Sequence, residues 1–170
     1  MRITINCIGT GCGDNGGTAT LFHSANVLSR FGHEINIVSD KESYFTWFSL
    51  KGPRFIKAYK DEYPNADILI ATGAGSVKHV REAPKEKGLK FWWIRAHETW
   101  IATQDDLMKM YQIPTIRKMV NSSDLQRYIK RKAGERFQII RPGNDFHVFY
   151  QTRKRDWQSK EIFTLGALHN

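Results

Sequence analysis

Apolar positions along this chain gather into short, near-continuous runs, separated by stretches with helical spacing. The first run, Ile3 to Ile8, empties into Gly9-Thr10-Gly11-Cys12-Gly13-Asp14-Asn15-Gly16-Gly17. Leu21, Phe22, Ala25 and Leu28 then recur on one helical face, Arg30 sits where a last turn would end, and Gly32 supplies a stop. His33 to Val38 reads as a second strand ending at Ser39-Asp40. Further strands are predicted over Arg54 to Tyr59, Ala66 to Thr72 behind the turn-like Tyr63-Pro64-Asn65, Lys90 to Ile94, Thr115 to Val120 and Arg136 to Ile140. Helical spacing covers Ser76 to Lys87, limited by Pro84, then Gln104 to Tyr111 and Ser123 to Lys132, where Leu125, Tyr128 and Ile129 share a face.

Continuous apolar strands alternating with helices predict an α/β fold, Rossmann-like, with a parallel sheet covered by helices on both faces. A chain of 170 residues, 41% hydrophobic and 12% aromatic, is ample for one such core. Residues 1–150 are assigned to that domain. The pattern breaks at Arg141-Pro142-Gly143-Asn144-Asp145, a polar basic stretch runs to Lys160, and Ile162 to Leu168 reads as a new strand entering a glycine turn. Residues 151–170 are therefore read as a linker and the first strand of a truncated second domain. The expectation is that the chain is the front part of a longer protein.

No run of about eighteen apolar residues is present. With no secretory leader pattern either, the chain is read as cytoplasmic. Cys7 and Cys12 are too few for a disulfide framework and lack C-x-x-C spacing, so they are read as a core residue and a loop residue, neither a nucleophile candidate because no basic residue adjoins them in sequence. A formal charge of +9 favours an anionic partner: a phosphorylated ligand, an acidic lipid surface or nucleic acid. Nucleic acid ranks last, because no aromatic-basic motif or DNA-reading helix accompanies the charge.

The glycine loop carries the chemistry. Strand, loop and helix start in that order point backbone N–H groups at an anionic or hydroxyl-rich ligand. Gly11, Gly13 and Gly16 spell G-x-G-x-x-G, but two residues out of register with the strand exit; with Asp40 for a ribose hydroxyl they keep an NAD(P)-dependent oxidoreductase as the alternative. Gly11 to Thr18 also follows a phosphate-loop skeleton, yet Gly17 stands where its lysine belongs. The remaining reading is a glycine pair, Gly16-Gly17, opening the helix so that backbone can approach a sugar or phosphate.

Several stretches together resemble the amino-terminal domain of a GT-B glycosyltransferase, of the retaining family whose second domain is called glycosyl transferases group 1. They are the strand with its Gly16-Gly17 loop; Leu28-Ser29-Arg30-Phe31-Gly32-His33-Glu34-Ile35, similar to that family's "L…R-G-H-E-V"; Asp67-Ile68-Leu69-Ile70-Ala71; and Ile94 to Glu98, similar to its strand ending in histidine. Gly143-Asn144-Asp145 with Phe149 matches its G-x-D-x-x-x-F domain junction, and Phe163 to Leu168 resembles the first strand of its second domain. Arg141-Pro142, Tyr150-Gln151 and Ala167 depart from that pattern. The resemblance implies that this half binds the acceptor, a saccharide, lipid or other small molecule. A C-terminal donor domain would bind a nucleotide-sugar co-substrate, and the isolated chain would be inactive. No tightly bound cofactor is implied.

On that reading His97 and Glu98 are the catalytic candidates, His97 at a strand's carboxyl end to contact the transferred sugar and Glu98 to orient it or bind an acceptor hydroxyl. Gly16 and Gly17 would meet the diphosphate, Asp14 and Asn15 acceptor hydroxyls, Arg95 a phosphate and Trp100 a sugar face. Gly143, Asp145 and Phe149 would form the domain hinge. Trp92 and Trp93 are assigned to the core. The remaining histidines show no ligand spacing, so no metal site is predicted. Arg127, Lys130, Arg131 and Lys132, with Arg117 and Lys118, suit either docking on an anionic membrane face or a solvated helix end.

Overall fold

The structure is a computed structural model describing residues 1–41, 47–143 and 158. Its elements are β1 (Arg2–Asn6), α1 (Gly16–Arg30), β2 (Glu34–Ser39), β3 (Arg54–Lys57), β4 (Ile68–Ala71), α2 (Ala74–Glu82), β5 (Leu89–Ile94), α3 (Gln104–Tyr111), β6 (Arg117–Val120), α4 (Ser123–Ala133) and β7 (Gln138–Ile139), with a 3₁₀ turn at Lys85–Lys87. The strands form one parallel seven-stranded sheet in the order β3-β2-β1-β4-β5-β6-β7. This is the α/β, Rossmann-like architecture that the sequence pattern predicts.

Local chemistry sets the element ends. The apolar run of β1 continues to Ile8, but the strand stops at Asn6 because its side-chain Oδ1 accepts from Ile8 N–H at 3.0 Å. Helix α2 begins two residues before the predicted Ser76. Ser76 Oγ accepts from Thr72 and Gly73 N–H at 3.0 and 3.2 Å and donates to Gly73 O at 2.8 Å, fastening the first turn. The helix stops at Glu82, since Ala83 precedes Pro84 and is held extended at ψ 142°. Helix α4 ends in Gly134 at φ 74°, with Lys130, Arg131 and Lys132 in its last turn, beside the carbonyl end they complement.

Strand alternation sends two residue sets to opposite faces. Ile3, Ile5, Ile35 and Ile37 pack with Leu21, Phe22 and Ala25 of α1. Val38, Leu69, Ala71, Trp92, Ile94 and Val120 pack under Val77 and Val80 of α2, Leu107 and Tyr111 of α3 and Ile129 of α4. Helices thus lie on both faces, but unevenly. Beyond α1, the sheet surface of Ile68, Ile70, Phe91, Trp93 and Met119 lines an open hollow of about 1020 Å³.

The strands are less uniformly apolar than a fully covered sheet requires. Thr4, Asn6 and Asn36 are buried on the three-helix face, and Thr4 and Asn36 pair in register.

The first turns of α1 and α2 tolerate side chains very differently. A Cβ on Gly75 would lie 2.6 Å from Gly9 O, whereas one on Gly16 would meet nothing within 4 Å. Gly75→Ala is expected to cost about 2 kcal/mol through forced backbone movement. Gly16→Ala should be neutral or stabilising by up to about 1 kcal/mol. Urea unfolding of the two variants checks this: equal midpoints would contradict the contact between Gly9 and Gly75.

Candidate functional site

The chain leaves β1 toward β2 on one side, and β4 toward β5 on the other, so the sheet reverses direction between β1 and β4. In open parallel sheets the crevice beyond the carboxyl ends of the strands at such a reversal is where ligands bind. Two helix amino-termini, those of α1 and α2, flank it here.

Residues 7–15 form the loop entering α1. Cys7 O accepts from Thr10 N–H at 3.0 Å and Gly11 N–H at 2.7 Å, closing a tight turn in which Gly9 and Gly11 adopt φ of 77° and 75°. Those left-handed values favour glycine. Gly9 N–H also reaches Asp40 Oδ1 at 3.3 Å, tying the loop to the end of β2. At the helix start, Asn15 Oδ1 accepts from Thr18 N–H at 2.9 Å and Asn15 O from Ala19 N–H at 3.0 Å. The N–H groups of Gly16 and Gly17 keep no acceptor among the described residues. The pair that opens the helix is therefore Gly16-Gly17, with Gly11 and Gly13 held back in the preceding loop.

Arg95, just past β5, crosses the crevice. Its guanidinium donates to Gly17 O and, at 2.9 Å, to Thr72 O, so one side chain joins the first turn of α1 to the loop after β4. Its own carbonyl is held by Asn121 Nδ2 at 2.9 Å, and its charge lies 5.8 Å from the Trp93 ring. Burial pulls its pKa down, opposed by nearby Cys7 and Glu98, and it stays a cation. The Nε atom is buried and unpartnered.

Glu98 approaches the other helix. Its Oε2 accepts from Ala74 N–H at 2.6 Å, so the carboxylate occupies the amino-terminus of α2. Burial raises its pKa, against the opposing effects of that N–H and of Arg95. Gly73 allows the approach, since a Cβ there would lie 3.1 Å from the carboxylate and 2.9 Å from Thr10 Cγ2.

The crevice thus gathers Gly17, Arg95 and Glu98 from the residues singled out in the sequence, with Gly16 at its lip. Asn15 acts as the α1 cap, Asp14 is exposed beside it, and Trp100 stands 70% exposed in the turn after Glu98. His97 turns elsewhere. Its Nδ1 lies 2.9 Å from Tyr111 Oη, its Nε2 2.7 Å from Gln104 Oε1, and its ring packs on Tyr128 at 4.7 Å. These contacts all belong to α3 and α4, and burial keeps the Tyr111 phenol protonated by raising its pKa. Trp92 and Trp93 are core residues, 1% and 6% exposed. Gly143 lines the hollow on the α1 face; Asp145, Phe149 and the segment 151–170 other than Gln158 lie outside the described residues. Thr72, Gly73 and Gly75 were not singled out. Their signal was a second strand–glycine–helix junction, Ala71-Thr72-Gly73-Ala74-Gly75-Ser76, built like the first. Among the described residues no helix is long and apolar enough to cross a membrane, and no cluster of three or more His, Cys, Asp or Glu is placed to hold a metal.

No protein-family profile matches the chain, and no curated protein matches it. Among solved structures it is similar to the NAD-dependent NDP-hexosamine 5,6-dehydratase TunA, involved in tunicamycin biosynthesis, with a TM-score of 0.42 and 12% identity. The match covers 70% of this chain and 54% of that one, about half the neighbour's length.

Two substitutions separate structural from site roles. His97→Ala leaves the Tyr111 hydroxyl without its ring partner and is expected to cost about 2 kcal/mol; an unchanged urea midpoint would show that the ring does not brace α3. For Glu98, the raised pKa means that the folded protein holds the proton more tightly than the unfolded chain. The stability this contributes is present below the ordinary carboxylate range and lost as pH rises through the folded value. Glu98→Gln keeps an oxygen for Ala74 but cannot ionise, so its melting temperature relative to the parent should rise as the pH climbs through and above the ordinary carboxylate range. Parallel melting profiles would refute the burial effect.

Proposed function

We propose that this chain is the acceptor-side lobe of a retaining GT-B glycosyltransferase, completed by a second lobe that brings the nucleotide-sugar. The observation that carries the reading is the pair of unengaged N–H groups at Gly16 and Gly17, presented at the mouth of the crevice with open space at Gly16. Charge that develops on a departing diphosphate would be stabilised by such donors, fixed in place before the reaction begins. Arg95 has a positioning role here: by holding Gly17 O it sets the direction in which the glycine lip faces. Trp100 offers an exposed aromatic face beside the crevice for a sugar or acceptor ring. His97, engaged at both ring nitrogens, braces α3 beneath the segment that carries Glu98 and Trp100.

Of the stretches that resemble the glycosyltransferase family, the glycine pair at the start of α1, Asp67 to Ala71 on β4 and Ile94 to Glu98 at the exit of β5 belong to elements that reach this crevice, whereas Leu28 to Ile35, on the passage from α1 into β2, lies at the opposite edge of the sheet. The dinucleotide alternative has a weaker footing. Residues 7–15 separate strand from helix where that fingerprint uses a tight turn, and Asp40, its ribose ligand, already accepts from Gly9 N–H.

Amide-resolved NMR distinguishes the readings. Inorganic pyrophosphate should shift the Gly16 and Gly17 N–H resonances with weak, roughly millimolar affinity. NADH, followed by its fluorescence, should not bind at that concentration. The 170-residue chain alone should transfer no sugar from any nucleotide-sugar. Micromolar NADH binding, with shifts centred on Gly11, Gly13 and Asp40, would replace this reading with the oxidoreductase one.

A further inference from the structure

We propose that the open hollow beside α1 is the docking surface for an amphipathic helix of a partner polypeptide, apolar on one side and acidic along its flanks. Parallel sheets are built to be covered by helices on both faces. On one face α2, α3 and α4 do this, and Leu69, Trp92 and Val120 are 0%, 1% and 0% exposed. Their strand neighbours Ile68, Ile70, Phe91 and Met119 point the other way and stay only half-buried. There α1 packs on β1 and β2, and the hollow of about 1020 Å³ opens over β4, β5 and β6.

Its dimensions suit one helix. From β1 to β6 the sheet spans three strand spacings, about 14 Å, and the five residues of β1 set a length of about 16 Å. A helix about 10 Å across and about eleven residues long has that footprint.

Charge decides what kind of helix fits. The titratable groups lining the hollow, among the described residues, are the Met1 amine, His23, Arg30, His33, Lys51 and Arg141, all of them bases. Arg30, Lys51 and Arg141 are exposed and make no ion pair among the described residues. Arg117 lies on the same face, 5.8 Å from the Phe91 ring. Glu34 and Asp67, the acids at the nearby strand starts, are already engaged by Arg54 and Arg2. An apolar floor inside a basic rim is complementary to an apolar stripe between carboxylates, an arrangement that steers encounter and rejects partners of the wrong sign.

The same rim selects among occupants. A second copy would bring an equally basic rim to this face, and like charges oppose that pairing. Residues 144–170 carry Arg153, Lys154, Arg155 and Lys160 against Asp145, Asp156 and Glu161, so they do not supply acidic flanks. The second lobe proposed above faces the carboxyl ends of the strands, whereas Met1 and His33 carry the hollow down to the amino ends. The helix is therefore assigned to a separate chain, independently of the glycosyltransferase reading.

Three probes test this on the 170-residue chain: an amphipathic peptide with a leucine stripe and glutamate flanks, the same peptide with lysine flanks, and phosphatidylglycerol vesicles. The glutamate peptide should become helical on binding and shift the amide resonances of Ile68, Ile70, Phe91 and Met119, with at least about tenfold higher affinity than the lysine peptide. The triple variant Arg30→Glu, Lys51→Glu, Arg141→Glu, changed only at exposed positions, should reverse that preference with an unaltered circular dichroism spectrum. No binding of the glutamate peptide, equal affinity for both peptides, or shifts centred elsewhere would overturn the proposal. Vesicles that bind these amides and exclude the peptide would assign the face to lipid instead, and dimerisation that shifts the same amides would assign it to a second copy. Nuclear Overhauser contacts in the free chain between Phe91 or Met119 and residues 144–170 would assign it to the chain's own tail.

Discussion

One guanidinium holds the two halves of the crevice together. Arg95 donates to the carbonyl of Gly17 on one side and of Thr72 on the other, across the line where the sheet changes direction. A parallel sheet brings its loops to one edge but does not make them cohere, because each loop belongs to a different strand–helix unit. The fork of the arginine side chain supplies that coherence, with donors aimed along two directions at once. Its position follows from the strand beneath it: Trp92 and Trp93 anchor β5 on opposite faces, and Asn121 fixes the Arg95 carbonyl.

Backbone contact completes what the arginine begins. Gly9 and Gly75 approach so closely that neither leaves room for a side chain. This contact seats the loop after β1 against the first turn of α2, while Asp40 ties the same loop to β2. Three strands therefore fix one loop, and its geometry is supported by the sheet as a whole. The glycines divide the labour: Gly9, Gly73 and Gly75 allow close packing, and Gly16 leaves open space.

Much of this was legible in the sequence, for physical reasons. Strands buried on both faces are written as apolar runs, so β2 and β5 stand out, and α3 is read at its observed bounds, where Thr103 and the acidic Asp105 and Asp106 mark its start. What escaped depended on contacts between distant positions. Asn6 shortens β1 through its own side chain, which an apolar run cannot reveal. His97 reads as a cleft residue at the end of a strand, yet its partners Tyr111 and Gln104 come from the next helix. Cys7 has no basic neighbour in sequence; the Arg95 cation that acts on it comes from just past the end of β5. Glu98 belongs with Ala74 only once β4 and β5 lie side by side.

The carboxylate at the start of α2 has an electrostatic consequence for the whole crevice. Two positive helix ends and a half-buried arginine converge there, and Glu98 neutralises only part of that field. The chain's net +9, which already counts Arg95 and Glu98, favours negatively charged molecules from beyond contact distance. Dissolved salt weakens that long-range attraction first, leaving the short contacts at the glycines to discriminate among whatever arrives.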